Sequence, residues 1–173
     1  MNIIKEPELN SINSGSKKNI KVENLTKSFS GITVLNNINL EFISGEIHGL
    51  VGQNGAGKST LGKIIGGHYK SSSGRIFLDN NLINKWSSEI ALHNGIAMIH
   101  QELALVPEMT VYENIFLGIE ENNFGILGKK NIKLFNKLDQ KIGFNLNPNQ
   151  KVSNLRIADQ QKVEIVRALA RNA

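Results

Sequence analysis

The nine residues GQNGAGKST, from Gly52 to Thr60, fit the spacing G-x-x-x-x-G-K-[ST] at every constrained position. That spacing demands a strand, then a tight loop, then the first turn of a helix. The flanking sequence supplies both elements. Glu46 to Val51 is short and largely apolar, as a buried strand would be, and Leu61 to Ile65 has the apolar spacing of a helix. Gly52, Gly55 and Gly57 allow the backbone to turn closely, with Gln53, Asn54 and Ala56 between them. Main-chain N–H groups and the positive end of the helix dipole then favour an anion. The stretch reads as a phosphate-binding loop in which Lys58 reaches β- and γ-phosphates, the Ser59 hydroxyl ligates an accompanying Mg2+, and Thr60 completes the motif.

The 173 residues are enough for one domain with a sizeable core, and 40% hydrophobic against 20% charged residues excludes wholesale disorder. There is no cysteine, which removes disulfides, thiolate metal sites and thiol nucleophiles. No apolar run approaches the roughly 18 residues that span a bilayer, and the N-terminus lacks the layout of a secretory signal, so a cytoplasmic protein is expected. The net charge of +5 is concentrated late: residues 129–173 hold 10 Lys and Arg against 3 Asp and Glu. Only Phe135 and Phe144 accompany those charges, too few aromatics for a base-stacking surface, so solvated helix faces explain them better than nucleic acid does.

Residues 1–18 show no sustained period and are expected to be a mobile arm. From Asn19 the chain alternates as a strand, turns between Thr26 and Gly31, and alternates again over Ile32–Leu35 and Asn37–Ile43. Hairpin signals follow at Arg75–Leu78, Asp79–Asn81 and Leu82–Ile83, then a short helix begins near Ser87 or Ser88. Gly95 to Ile99 reads as a buried strand ending in the polar trio His100, Gln101 and Glu102. Thr110 and Glu113 form a capping box for a helix over 111–117. A Gly- and Asn-rich connector spans 118–128. Helical spacing then places Phe135, Leu138 and Ile142 on one stripe of 131–143, and Val163, Val166 and Ala170 on one stripe of 158–170.

Taken together, NLTKSFSGITVLNNINLEFISGEIHGLVGQNGAGKSTL, SGRIFLD, GIAMIHQELALVPEMTVYENIFLG and VSNLRIADQQKVEIVRALARNA resemble an ATP-binding cassette ATPase of the tandem sugar-import type. The resemblance runs from about Ile20 to Ala173 and matches the N-terminal part of a first cassette. It implies an α/β P-loop NTPase core, RecA-like, with an antiparallel β lead-in and a helical subdomain, incomplete at the C-terminus. The implied division is an arm (1–18), a nucleotide-binding core (19–102), a helical subdomain (103–157) that docks on a permease, and the start of a signature helix (158–173). It further implies that Phe29 stacks on adenine and that Gln101 reaches the Mg2+ of bound ATP. The family's signature, close to LSIGD in this group, stands here as Leu155, Arg156, Ile157, Ala158 and Asp159. Arg156 takes the place of a serine whose compact hydroxyl contact with the opposite cassette's γ-phosphate a guanidinium does not reproduce.

The Mg2+-binding aspartate, catalytic glutamate and switch histidine of the family are expected beyond Ala173, so no catalytic residue is assigned in this chain, and ATP binding without efficient hydrolysis is expected of it. Implied partners are membrane permease subunits, a second cassette and, indirectly, a sugar-binding protein, with no nucleic acid, at the inner face of the cell membrane. A cassette acting on nucleic acid or the ribosome, and a non-catalytic remnant, are the competing readings.

Overall fold

The computed structural model describes residues 2–6, 18–119, 122–123, 126–127 and 130–173. It separates into two compact units, Met1–Ala91 and Leu92–Ala173.

The first unit is built on an antiparallel sheet. Strands β2 (Ile20–Phe29) and β3 (Ile32–Phe42) form a hairpin, β5 (Ser73–Leu78) pairs on the other side of β2, and β6 (Asn81–Leu82) closes the order β3-β2-β5-β6. The turn expected over Thr26–Gly31 is shorter than that. Strand β2 continues to Phe29, and only Ser30 and Gly31, at φ 47° and 86°, make the turn. Positive φ at both central residues is the geometry whose twist matches two antiparallel strands. The two expected strands 32–35 and 37–43 are one strand interrupted by irregular pairing, with Asn24 and Asn37 at φ 50° and 52° where the register shifts. Asparagine tolerates that conformation better than most residues, so the ladder slips without ending.

Strand β4 (Ile47–Val51) leads into helix α1 (Lys58–Ile65) through the glycine-rich loop. It pairs antiparallel with β1 (Asn2–Glu6). Residues 2–6 are therefore strand, against the expectation of a mobile arm for all of 1–18. Strand β4 is also less buried than its composition suggests, with Ile47 and Val51 half exposed. An apolar run becomes a buried strand only where neighbours cover both of its faces. The core of this unit gathers Val22, Leu25, Leu35, Leu61, Ile64 and Ile76. Each such side chain contributes about 1.5–3 kcal/mol through burial. Trp86 finishes α1: its indole N–H donates to the carbonyls of Ile64 and Ile65 at 3.0 and 2.9 Å, satisfying groups the helix end leaves open. Helix α2 (Ser88–His93) follows.

The expected buried strand over 95–99 does not form: these residues are irregular, and Ile99 is 46% exposed. Among the described residues no strand pairs with them, and an apolar run without a ladder partner has nothing to hold it extended.

In the second unit, helix α3 (Val111–Phe116) starts at the capping box expected of it. Thr110 Oγ1 accepts from the Glu113 N–H at 3.2 Å, and Glu113 Oε2 accepts from the Thr110 N–H at 2.7 Å. Short strands β7 (Asn122–Asn123) and β8 (Ile126–Leu127) pair within the connector. Helix α4 (Lys130–Ile142) ends at Gly143, whose φ of 68° suits the left-handed residue that closes a helix. A 3-10 turn over Val152–Asn154 precedes helix α5 (Ile157–Ala170). Val111, Ile115, Phe116, Phe135, Val163 and Val166 meet in the core, so the predicted stripes of α4 and α5 do face inward. No helix among the described residues is long and apolar enough to cross a membrane.

Candidate phosphate-binding site

The loop between β4 and α1 is held open by its own backbone. Gly55 and Gly57 lie at φ 85° and 83°, and the Ala56 N–H donates to the Gln53 carbonyl at 3.1 Å, giving the tight turn the motif requires. Helix α1 begins without a side-chain cap, and its first helical bond runs from Leu61 N–H to the Gly57 carbonyl. The amides of Gly57, Lys58, Ser59 and Thr60 thus stand ahead of the ladder, where the helix dipole is positive. Such a terminus suits a phosphate group without further assistance.

Lys58 folds back over this loop. Its ammonium donates to the carbonyls of Gly52 and Gln53, both at 2.7 Å, which fixes a positive charge against the loop while leaving its third proton for another acceptor. Ser59 is exposed, as are Gly52, Gln53, Asn54, Gly55 and Ala56, while Gly57 is buried and Lys58 and Thr60 are half-buried. These donors and hydroxyls fit a polyphosphate with a hard divalent cation: uncapped amides and an ammonium for the anion, and a hydroxyl oxygen for the metal.

Phe29 sits beside the turn of the β2–β3 hairpin and is 39% exposed. It is not a plug buried between strands. Tyr69 meets it edge-on at 5.5 Å between centroids, and Lys27 Nζ lies 4.6 Å from its ring centroid. The same hairpin carries Leu35, which packs behind Gly57, so one β-ribbon supports both the aromatic ring and the loop. The sequence alone does not mark Lys27, Tyr69 or Leu35 as site residues. Lys27 stands two residues before Phe29 on one strand, and period-two reasoning would have paired them; Tyr69 and Leu35 have no local signal.

Gln101 and the signature residues lie in the other unit. Gln101 is exposed, in a bend with Glu102 after the irregular stretch. Leu155 is half-buried, and its carbonyl accepts from Gln160 Nε2 at 3.1 Å. Arg156 is the N-terminal cap residue of α5, extended and exposed, and its side chain caps nothing. Ile157 and Ala158 are exposed in the first turn, and Asp159 pairs with Lys162 at 2.7 Å. A cation at the positive end of a helix is unfavourable, and Asp159 partly offsets it. Part of the late basic charge is engaged internally: Lys151 pairs with Glu108, Lys162 with Asp159 and Arg167 with Glu164, while Arg171 donates to the Leu117 carbonyl.

Comparison with known proteins bears on the chain as a whole. A profile of the ABC transporter family matches residues 35–173. An arabinose import ATP-binding protein of Paraburkholderia xenovorans is 43% identical over 155 residues, covering 89% of this chain and 30% of that protein. A ribose import ATP-binding protein of Clostridium perfringens is 40% identical over 158 residues, covering 89% of this chain and 31% of its own length. The chain therefore spans less than a third of these relatives. Among solved structures, a nucleotide-free ATP-binding cassette from an ABC transporter aligns with a TM-score of 0.67 at 26% identity, covering 90% of this chain and 66% of that one. The ADP conformation of another cassette aligns at 0.68 and 26%, covering 90% and 65%.

Proposed function

This chain belongs to the ABC transporter family, and from that premise we propose that it is the ATP-binding part of an importer that couples MgATP binding and hydrolysis to sugar uptake. The observation that carries the reading is the uncapped start of α1 with the Lys58 ammonium folded over the loop before it. The names of the relatives, which are arabinose and ribose import ATP-binding proteins, support the sugar class over a nucleic-acid role.

In this reading the amides of Gly57 to Thr60 receive the phosphate oxygens, and Lys58 exchanges part of its hold on the two loop carbonyls for the β- and γ-phosphates. Ser59 and Gln101 are the Mg2+ ligands of the chain, and the ion, when bound with nucleotide, supplies charge neutralisation at the phosphates. Phe29 offers its ring to the adenine, with Lys27 displaced from the face that the base takes. Residues 155–159 face a nucleotide held by a second cassette, and the segment 103–157 docks on a permease at the inner face of the membrane.

Titration of the chain with MgATP and with MgGTP tests the proposal. Saturable MgATP binding, weakened roughly ten- to hundredfold by Lys58→Ala, is expected. An unchanged chain at millimolar MgATP would sink it.

A further inference from the structure

Ala104 lies three residues beyond Gln101, and its backbone N–H and carbonyl are both held by side chains of α5. Its N–H donates to Glu164 Oε1 at 3.0 Å, and its carbonyl accepts from Arg167 Nη1 at 2.7 Å. Glu164 and Arg167 stand 3.6 Å apart, one turn apart on the helix, with side chains only 12% and 18% exposed. A charged pair this far from water is retained at a desolvation cost, which hydrogen bonds must offset. Here those bonds go to the backbone N–H and carbonyl of one residue, 60 and 63 residues away in the sequence.

The next residues are fastened in the same way. Val106 is gripped on both sides by the buried Asn114, whose Oδ1 accepts from its N–H at 2.7 Å and whose Nδ2 donates to its carbonyl at 3.0 Å. The carbonyls of Pro107 and Met109 accept from the N–H groups of Ser153 and Val152, at 2.9 and 3.0 Å, just ahead of the signature residues. Only Glu102 and Leu103 separate Gln101 from the first fixed peptide.

We propose that Glu164 and Arg167 are positioning residues for Gln101: their two-point hold on Ala104 makes the segment after Gln101 move with α5, the helix whose first turn carries Ile157, Ala158 and Asp159. This rests on the reading of Gln101 as a metal-reaching residue. Its consequence is that a displacement of α5 by an anion at its N-terminus is delivered to Gln101 with two residues of slack, so the two nucleotide-facing parts of this unit respond as one body.

The test compares the wild-type chain with Glu164→Ala, Arg167→Lys and Arg167→Ala by amide hydrogen exchange and by binding of ATPγS with and without Mg2+. The Ala104 amide, whose acceptor is Glu164 Oε1, is expected to be protected in the wild type and to lose about tenfold of that protection in Glu164→Ala and less in Arg167→Ala, while the amides of Val163 and Val166 keep theirs. Arg167→Lys retains a cation and restores part of the protection. Nucleotide affinity without Mg2+ stays unchanged in the variants, and the gain on adding Mg2+ shrinks. An Ala104 amide that exchanges equally fast in wild type and variants overturns the hold. Equal loss along the whole of α5 reduces the pair to a structural role and overturns positioning. Release of Ala104 with an unchanged Mg2+ gain overturns the link to Gln101. A wild type that binds no nucleotide sinks the functional reading instead, while the exchange data still decide the hold. Glu164→Ala, which removes the acceptor of the Ala104 N–H, keeps the comparison available if Arg167→Ala does not fold.

Discussion

Leu35 fills the space directly behind Gly57: a Cβ added to that glycine would stand 2.5 Å from Leu35 Cδ2 and 2.9 Å from the Val34 carbonyl. The residue also sits at φ 83°, a conformation that L side chains rarely adopt. Gly57→Ala must therefore either strain the backbone or push the β2–β3 hairpin away from the loop. The expected loss is about 1–3 kcal/mol of stability, read by urea unfolding, together with nucleotide binding. Trimming the obstruction with Leu35→Ala in the same chain should recover little, because φ remains unfavourable and a cavity replaces the leucine.

Among the described residues the Lys58 ammonium donates to the carbonyls of Gly52 and Gln53, both within the loop itself. Lys58→Ala should leave the unfolding midpoint nearly unchanged while weakening MgATP roughly ten- to hundredfold, the worth of a hydrogen bond to a charged group. Calorimetric titration beside a thermal melt separates the two effects.

Arg156 occupies a cap position that serine, threonine, aspartate or asparagine would fill with a hydrogen bond to the helix. Arg156→Ser should raise stability by about 1 kcal/mol, because it supplies the cap and removes a cation from the positive end of α5. A lower midpoint in denaturant would contradict the cap geometry.

Glu113 ties stability to pH. Hydrogen bonds from the Thr110 N–H and then from its hydroxyl hold the Glu113 carboxyl below the usual carboxylate range, against a smaller opposing effect of burial. A depressed folded value means that the contribution is complete above the unfolded value, about 4.3, and is lost as pH falls through the folded one. Wild type and Glu113→Gln should therefore differ most at neutral pH and converge below about pH 4 in urea unfolding. Thr110→Ala should cost about 1 kcal/mol at pH 7, and less in acid.

Features whose partners lie within a few residues were legible in the sequence. The loop, the capping box, the Gly143 stop and the inward stripes of α4 and α5 all depend on contacts at a separation of six or fewer, or on the helical period. The strands were harder to read. Glu46 to Val51 and Gly95 to Ile99 are similar apolar runs, yet one pairs with residues 2–6 and the other pairs with none of the described residues. Nothing inside either run encodes which neighbour it will have. The length of β2 was missed for a related reason: Ser28 reads as a turn residue, but its N–H is taken by Ser72 Oγ and its hydroxyl by Thr33, both held close by the sheet.

By itself, then, the sequence determined the geometry of the loop before α1 and the family, because a glycine at positive φ, a free helix start and a lysine six residues after Gly52 are local requirements written in adjacent letters. Only the tertiary structure decided that Leu35 backs Gly57, that Lys27 and Tyr69 flank Phe29, and that Glu164 and Arg167 seize Ala104. Those contacts join residues tens of positions apart, where hydrophobic burial first brings the elements together and polar groups then find the partners that removal from water obliges them to have.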